Sequence, residues 1–519
     1  MPQDSSTNNK RIAKNTLLLY FRMFITTVVG LYTSRVVLNT LGVSDYGIYN
    51  IVGGIITMAS FLNSAMVAAS QRFLSYELGR GDDERLSRVF CTSINIHAAI
   101  CLVAFVIAET AGLWFLNAKL NIPDGRMAAA NWVYQASIVS FMVNVMSVPY
   151  NSAIVAHEKM SAFAYISILD VTLKLLIVYL LLLFPYDKLI VYSILMVCVV
   201  GLIRVCYMVY CKRHFMECNY RLTLDVPLFK EMFSFAGWSI IGNLGFSFKD
   251  QLSNIILNLF YGTFVNAARG VGMQVTAHVA TFAHSFTMAL NPQITKQYAA
   301  GNLDGSRRLV YAGSRYTFYL LTLVAVPVII NIDYILRLWL GIVPDYTSQF
   351  VILSIITSLI YAMSECVTKA IQATGRIKWF QIGISIIMLS ELPVAWVLME
   401  MGYPPYAVMW PALLTYSVAV AFRFWLIHNY VPGYHFREYL SQVILRCVAV
   451  FAASISLCIL LCRFQDGFVG MILSVVACLA VSTAVITALG MYKGEREVVQ
   501  SEMTKVFKKI RNNNNPICY

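Results

Sequence analysis

The chain has 519 residues, 59% of them hydrophobic and 13% charged, with a mean hydropathy of +0.67 and a formal net charge of +13. An ordinary soluble domain runs about 25% charged, so the composition excludes a water-soluble enzyme, a secreted disulfide scaffold and a disordered chain, and leaves an all-α polytopic membrane protein. The basic excess stands in no separate domain, so it reads as charge asymmetry across a bilayer and not as a nucleic-acid surface.

A helical span needs about 20 mostly apolar residues. Fourteen are expected in chain order: 14–38, 46–70, 89–116, 127–156, 160–184, 189–211, 231–260, 263–290, 316–342, 346–368, 379–401, 405–431, 438–462 and 466–492. The runs lack the two-residue alternation of barrel strands. The first stretch, Asn15 to Leu38, is too long for a signal h-region and has no small-residue cleavage site, so it stays as a span. Pro149, Pro327, Pro393 and Pro411 fall within spans and can kink them. Cysteines such as Cys91, Cys101, Cys198, Cys206, Cys458 and Cys478 sit in apolar runs without a Cys-x-x-Cys pair, which points to packing and away from zinc or redox chemistry.

With the N-terminus placed in the cytoplasm, inner segments hold 26 Lys and Arg residues and outer loops hold four, Lys119, Arg126, Lys188 and Arg463. One wrong span would invert every later loop and destroy that bias, so both termini are expected inside. The loop at 71–85, QRFLSYELGRGDDER, aligns without a gap to 293–307, QITKQYAAGNLDGSR, sharing Gln71/Gln293, Tyr76/Tyr298, Gly79/Gly301, Asp82/Asp304 and Arg85/Arg307. The two loops lie six spans apart, an even number, which predicts two parallel, pseudo-symmetric six-helix lobes around a central cleft. The expected divisions are an N-terminal segment 1–13, a first lobe 14–211, a linker 212–230, a second lobe 231–431, two further spans in 438–492 and a basic tail 493–519.

Charges inside the bilayer cost roughly 2.5–3.5 kcal/mol each on insertion scales. Three acid–base pairs have i,i+4 spacing: Asp170 with Lys174, Asp333 with Arg337, and Glu365 with Lys369. Arg204, Arg423 and Arg446 fall within about three turns of the cytoplasmic side and Arg35 one turn from the outer side, where snorkelling explains them. Arg22, Lys249 and Arg269 have no such route. Ser239, Asn243, Ser247, Asp250 and Asn254 form a polar stripe on one helix face, fit either for a cavity or for helix–helix hydrogen bonds. Lys249 projects away from that stripe. Asp250 and Glu391 read as unpaired acids able to take H+ or Na+, or to remain locally satisfied. Cations in a wet cleft would offset the desolvation of an anionic headgroup, phosphate above all. No GxxxxGK[ST] loop occurs, so the chain is no P-loop pump. GDDE at 81–84 lacks Asp-x-Asp spacing, and His97, His278 and His284 lack metal-ligand spacing. The basic tail with Lys505, Lys508 and Lys509 fits the anionic inner leaflet, and its Asn-rich close is expected to be disordered.

LGVSDYGIYNIV (41–52), SVPYNSAIVAHEKMSAFAYISILDVTLKL (147–175), NAARGVGMQV (266–275), NPQITKQYAAGNLD (291–304) and QATGRIKWFQIGIS (372–385) resemble segments of Wzx-type polysaccharide flippases in the multidrug/oligosaccharidyl-lipid/polysaccharide superfamily. The resemblance implies two six-helix lobes in a V, a cavity exposed alternately to each side, and an undecaprenyl-pyrophosphate-linked oligosaccharide as cargo. It implies a bacterial inner-membrane location and glycan polymerase or assembly proteins as partners, with no cofactor beyond a coupling H+ or Na+. By helix location it points to Arg22, Lys249 and Arg269 as substrate-binding cations; Arg35 and Lys174 are further cationic candidates, and Asp250, Glu391 and Glu365 are the candidate coupling acids. A drug/cation antiporter and a lipid II flippase of the same superfamily remain open. A membrane glycosyltransferase or polymerase fits less well, because no loop offers a sizeable external domain.

Overall fold

The computed structural model describes residues 5–57, 60–119, 122, 125–181, 186–221, 225–340, 343–461, 467–492 and 494–497. The chain is all-α. Helices α1 (Ser5–Thr57) and α2 (Ser60–Arg80) are followed by α3 (Asp83–Ile107), which passes through a π-helical turn into α4 (Leu113–Lys119). Then come α5 (Met127–Ala156), α6 (Met160–Leu180), α7 (Lys188–His214) and the long α8 (Val226–Ala299). The remainder comprises α9 (Leu303–Ile330), α10 (Ile332–Leu340), α11 (Thr347–Thr374), α12 (Lys378–Leu389), α13 (Glu391–Glu400), α14 (Trp410–Tyr430), α15 (Phe436–Tyr439), α16 (Leu445–Leu461) and α17 (Gly467–Val485).

Two of these helices run through predicted loops. At 1.5 Å per residue, a straight α1 of 53 residues would reach about 80 Å, far beyond a hydrocarbon core of about 30 Å. It does not run straight. Leu19 shares a buried cluster with Phe73 and Leu74 at one end of the bundle, whereas Asp45 is bound by Arg126 at the other. Likewise Arg269 donates to the Asp250 carbonyl, 3.2 Å away, although 19 residues of straight helix span about 28 Å. Each stretch therefore goes out and back, and the loops expected at 39–45 and 261–262 are reversals inside helical backbone.

Among the described residues, ten helical stretches are long and apolar enough to cross a membrane. They coincide with ten of the fourteen expected spans. The other four lie in α1, α2 and α8. Those helices pack on one another, α2 against α8 and α1 against α8. Of these, α8 is less apolar, because polar residues such as Asn243 and Ser247 face another helix or a cavity and not lipid. Helix ends also overrun the expected spans. The helix expected from 316 begins at Leu303, capped by Asn302, and ends at Ile330. Hydropathy marks only the lipid-embedded part, whereas capping lets the helix continue into polar surroundings. Pro149 and Pro327 lie inside α5 and α9, whereas Pro411 sits in the first turn of α14, where its missing N–H costs nothing.

The first lobe is built from α1–α7 and the second from α8–α14. The pair α16–α17 packs on α9. The repeated loops share one turn design. Gly81 has φ 72° and Asp82 accepts from the Arg85 N–H at 2.9 Å; Gly301 has φ 76° and Asn302 accepts from the Gly305 N–H at 2.9 Å. Glycine closes one helix in left-handed backbone and an Asx side chain caps the next. The structural register is two residues off the ungapped alignment, so Gly81 answers Gly301 and Asp82 answers Asn302. Both loops lie at the same end of the bundle, with Lys159, Lys212 and Arg307. We call this the basic end.

Candidate functional site

A cavity of about 820 Å³ lies between the lobes and within the second one, lined among others by Ser64 of α2, Asn243, Ser247 and His284 of α8, Tyr361 and Glu365 of α11, and Tyr416 of α14. The polar stripe divides on reaching it. Asn243 donates to Ser64 Oγ at 2.9 Å, joining the lobes, and Ser247 lines the cavity beside it. Ser239 is buried and bonds the Phe235 carbonyl of its own helix. Asp250 and Asn254 belong to a charge cluster.

That cluster corrects two expectations. Lys249 Nζ lies 3.1 Å from Asp250 Oδ1 and 3.6 Å from Glu391 Oε2, and Arg269 Nη2 lies 3.8 Å from Asp250 Oδ1. Arg269 also donates to Asn254 Oδ1. Lys249, Arg269 and Glu391 are 5%, 3% and 1% exposed. Two bases and two acids thus neutralise one another inside the second lobe, where an unpaired charge would cost several kcal/mol. Asp250 and Glu391 are not unpaired acids, and Lys249 and Arg269 are held in ion pairs. Neither fact was legible locally, because Lys249 and Glu391 meet only when α13 packs on α8.

The remaining candidates are scattered. The Arg22 guanidinium stacks on Phe163, 4.4 Å from its centroid, and its Nε has no hydrogen-bond partner. Lys174 Nζ binds Asp170 Oδ2 at 2.7 Å in a separate cavity of about 490 Å³ inside the first lobe, walled by Asn63, Ser137, Ser140, Asn144 and Ser193. The side chain of Arg35 lies outside the described residues. Glu365 accepts from Thr287 at 2.9 Å and lies 3.9 Å from His284 Nδ1, so the i,i+4 pairing with Lys369 is replaced by partners on α8. Asp333 accepts from Ser348, not from Arg337. Arg423 does not snorkel. It is 1% exposed, donates to Ser364 Oγ at 2.7 Å and stacks on Tyr361. Among the described residues no group of three or more His, Cys, Asp or Glu is placed to hold a metal ion.

Sequence reasoning passed over the seam at the basic end. There the lobes meet where the repeated loops meet. Gly79 of α2 packs so closely on α8 that a Cβ would lie 2.6 Å from the Lys296 carbonyl oxygen and 2.7 Å from its Cα. Glu158, between α5 and α6, binds Lys296 Nζ at 2.7 Å and accepts from Gln293. Its φ of 60° is left-handed, a conformation costing roughly 1–2 kcal/mol outside glycine. Arg72 donates to the Ala373 carbonyl at 3.2 Å and lies 3.8 Å from Glu231. A void of about 30 Å³ in the seam is lined by Gln71, Arg72, Ser75, Asn291, Thr295, Lys369 and Gln372, with no acid. Among the described residues Lys369 makes no ion pair within 4 Å. The repeat itself was the signal for this place, since parallel halves must meet at their common axis.

The lobes are closed at the basic end. The bridges between them, Arg72 to Ala373, Glu158 to Lys296, Phe73 to Phe235 and Ser64 to Asn243, run from that end to mid-depth. At the far end the buried clusters stay within single lobes, one around Ile48 and Val133, another around Leu257 and Val408.

Two bundles of this architecture closing over a cleft define a known class of membrane fold. A family model described as MatE matches residues 239–397, from α8 into α13. Among solved structures, a mutant of the Vibrio cholerae MATE transporter VcmN shares 17% identity over 82% of this chain and 97% of that chain, with a TM-score of 0.67. The MATE transporter ClbM in complex with Rb+ shares 16% identity over 80% and 94%, at 0.67. A MOP superfamily transporter from Pyrococcus furiosus, described by the reverse polarity of its binding pocket, shares 12% over 80% and 95%, at 0.64. No curated protein matches the sequence. The chain is a multi-pass helical membrane protein whose fold is similar to that of MATE transporters.

Proposed function

We propose that this protein is a flippase that moves an undecaprenyl-pyrophosphate-linked oligosaccharide from the inner to the outer leaflet of a bacterial inner membrane by alternating access. The carrying observation is the seam: Arg72 of the first lobe and Lys369 of the second line one acid-free void together with amide and hydroxyl side chains. When the lobes part at this end, those two cations face whatever enters. A phosphate-bearing head supplies the counter-charge that the lining of this void lacks. The basic end is then cytoplasmic, in accord with the distribution of Lys and Arg. An inside-negative potential drives an anion outward by about 2.3 kcal/mol per charge per 100 mV.

The second reading is a drug/cation antiporter. It is favoured by Glu365, the acid on the wall of the larger cavity, which on either reading is the group best placed to take a coupling proton or Na+. Fold does not choose between them. In proteoliposomes, Arg72→Gln and Lys369→Gln are expected to lower flipping of the lipid-linked glycan by about 10-fold each, a charged hydrogen bond being worth about 1.5–3 kcal/mol. Membrane insertion should be intact. Wild-type flipping by both variants, or cells that lack the protein yet accumulate no lipid-linked oligosaccharide and lose drug tolerance instead, would reject the proposal for the antiporter.

A further inference from the structure

A second basic feature stands apart from the cleft. At the basic end, where α9 begins and α17 has finished, a cavity of about 380 Å³ is lined by Arg307, Arg308, Tyr311, Arg315, Glu438, Gln442, Tyr492 and Glu495. It opens between the second lobe and the added pair α16–α17. Three guanidiniums face two carboxylates there, and one carboxylate is already engaged. Glu495 binds Arg315 Nη2 at 2.6 Å and accepts from the Tyr492 N–H at 2.9 Å. Arg307 is anchored by the Gly433 carbonyl at 2.6 Å and by Asp304 at 3.1 Å. Among the described residues Arg308 has no acidic partner.

A fourth guanidinium adds to the field. Arg446 and Arg315 both lie over the Tyr492 ring, 3.8 and 4.7 Å from its centroid. The two like charges thus stand within about one Debye length, ~8–10 Å at physiological salt. The ring faces attract both cations, yet do not cancel their repulsion. The Nε of Arg315 is buried without a hydrogen-bond partner, although the residue is only 3% exposed. Glu438, the other wall carboxylate, makes no ion pair with an arginine among the described residues. The pocket is therefore short of negative charge and rich in planar donors, the geometry that phosphate oxygens satisfy two at a time.

We propose that this pocket binds a phosphate group, held by Arg308, Arg315 and Arg446 around Tyr492, and that the bound phosphate ties α16–α17 to the second lobe. The site lies where helices leave the bilayer, so the phosphate comes either from the headgroup of an anionic phospholipid or from solution. It is independent of what the central cleft carries.

The test uses the purified full-length chain in neutral detergent. Phosphatidylglycerol, phosphatidylcholine and inorganic phosphate are added in turn, with thermal unfolding and native mass spectrometry as readouts. Phosphatidylglycerol is expected to raise the unfolding temperature and to remain as a bound adduct, whereas phosphatidylcholine does neither. Arg308→Glu with Arg446→Glu should weaken that response by about 10-fold or more, and Arg308→Gln alone, at an exposed position, by about 3-fold. If inorganic phosphate stabilises the wild type and displaces the lipid, the natural ligand is a soluble phosphate; if only the lipid acts, it is a headgroup. The inference is overturned if the arginine variants respond as the wild type does. It is equally overturned if Lys212→Glu with Arg213→Glu, on the exposed end of α7, loses as much.

Discussion

Arg126 shows how much one side chain can hold at the far end. Its Nε donates to Asp45 Oδ1 at 3.0 Å and its Nη2 to Asp187 Oδ1 at 3.2 Å, which joins the reversal in α1 to the starts of α5 and α7. Burial of Asp187 works against its charge, but hydrogen bonds from Arg126 and from the Ile190 and Leu189 N–H groups outweigh it, and its carboxyl is held below the usual value. A depressed folded pKa means stability that is present above the unfolded value, about 3.9, and lost as pH falls through the folded value. Thermal unfolding followed between about pH 6 and pH 3 should therefore drop further in the wild type than in Asp187→Asn. Equal slopes would show that the carboxylate is not linked to folding. Arg22 offers a second trial at this scale. Its guanidinium lies over the Phe163 ring with Nε unpartnered, and on the proposed reading Arg22→Ala is expected to reduce flipping while leaving α1 inserted, measured as glycan-lipid transport against surface labelling. The i,i+4 logic that found Asp170 with Lys174 failed for Glu365 with Lys369. Thr287 on α8 brings a hydroxyl to 2.9 Å from the Glu365 carboxylate, and a linear pattern carries no information about which helix arrives alongside.

Between α2 and α8 the contact is set by backbone, not by side chains. Gly79 allows it, and a valine there meets the Lys296 backbone and the Ala299 methyl at once. Gly79→Val should push the two helices apart and expose the seam, seen as at least a few-fold faster thiol labelling of an introduced Ser75→Cys. Unchanged labelling would mean that the helices yield elsewhere. The turns before α3 and α9 use turn residues visible in the sequence, Gly followed by Asp or Asn, although hydropathy put the helix starts they cap several residues later. The apolar spans from α3 to α7 and from α9 to α17 were readable in advance. The reversals in α1 and α8 were not, because nothing in a long helical pattern marks where backbone hydrogen bonding persists through a bend.

Across the molecule, closure at the basic end rests on a few ties carried by both lobes. Glu158 is the central one, aimed at Lys296 and Gln293 from a strained backbone position. Glu158→Lys sets two cations against each other and should favour separation of the lobes, whereas Glu158→Lys combined with Lys296→Glu restores opposite charges and should restore closure. Distances between spin labels on α6 and α9 at this end report the difference; no widening in the single variant would remove Glu158 from the gate. The two-lobe plan was legible from the spacing of one repeated loop, but the placement of Lys249 and Arg269 in a neutral cluster was not, since charge sign alone does not say whether a cation faces water or an acid. The closeness of the backbones at Gly79 has a further consequence for the cell. A doorway shut by backbone in contact, with a void of only about 30 Å³ beside it, leaves little room for a continuous thread of solvent along which protons hop. On the proposed reading, a molecule open on its other face would then leave intact the gradient that energises the membrane around it.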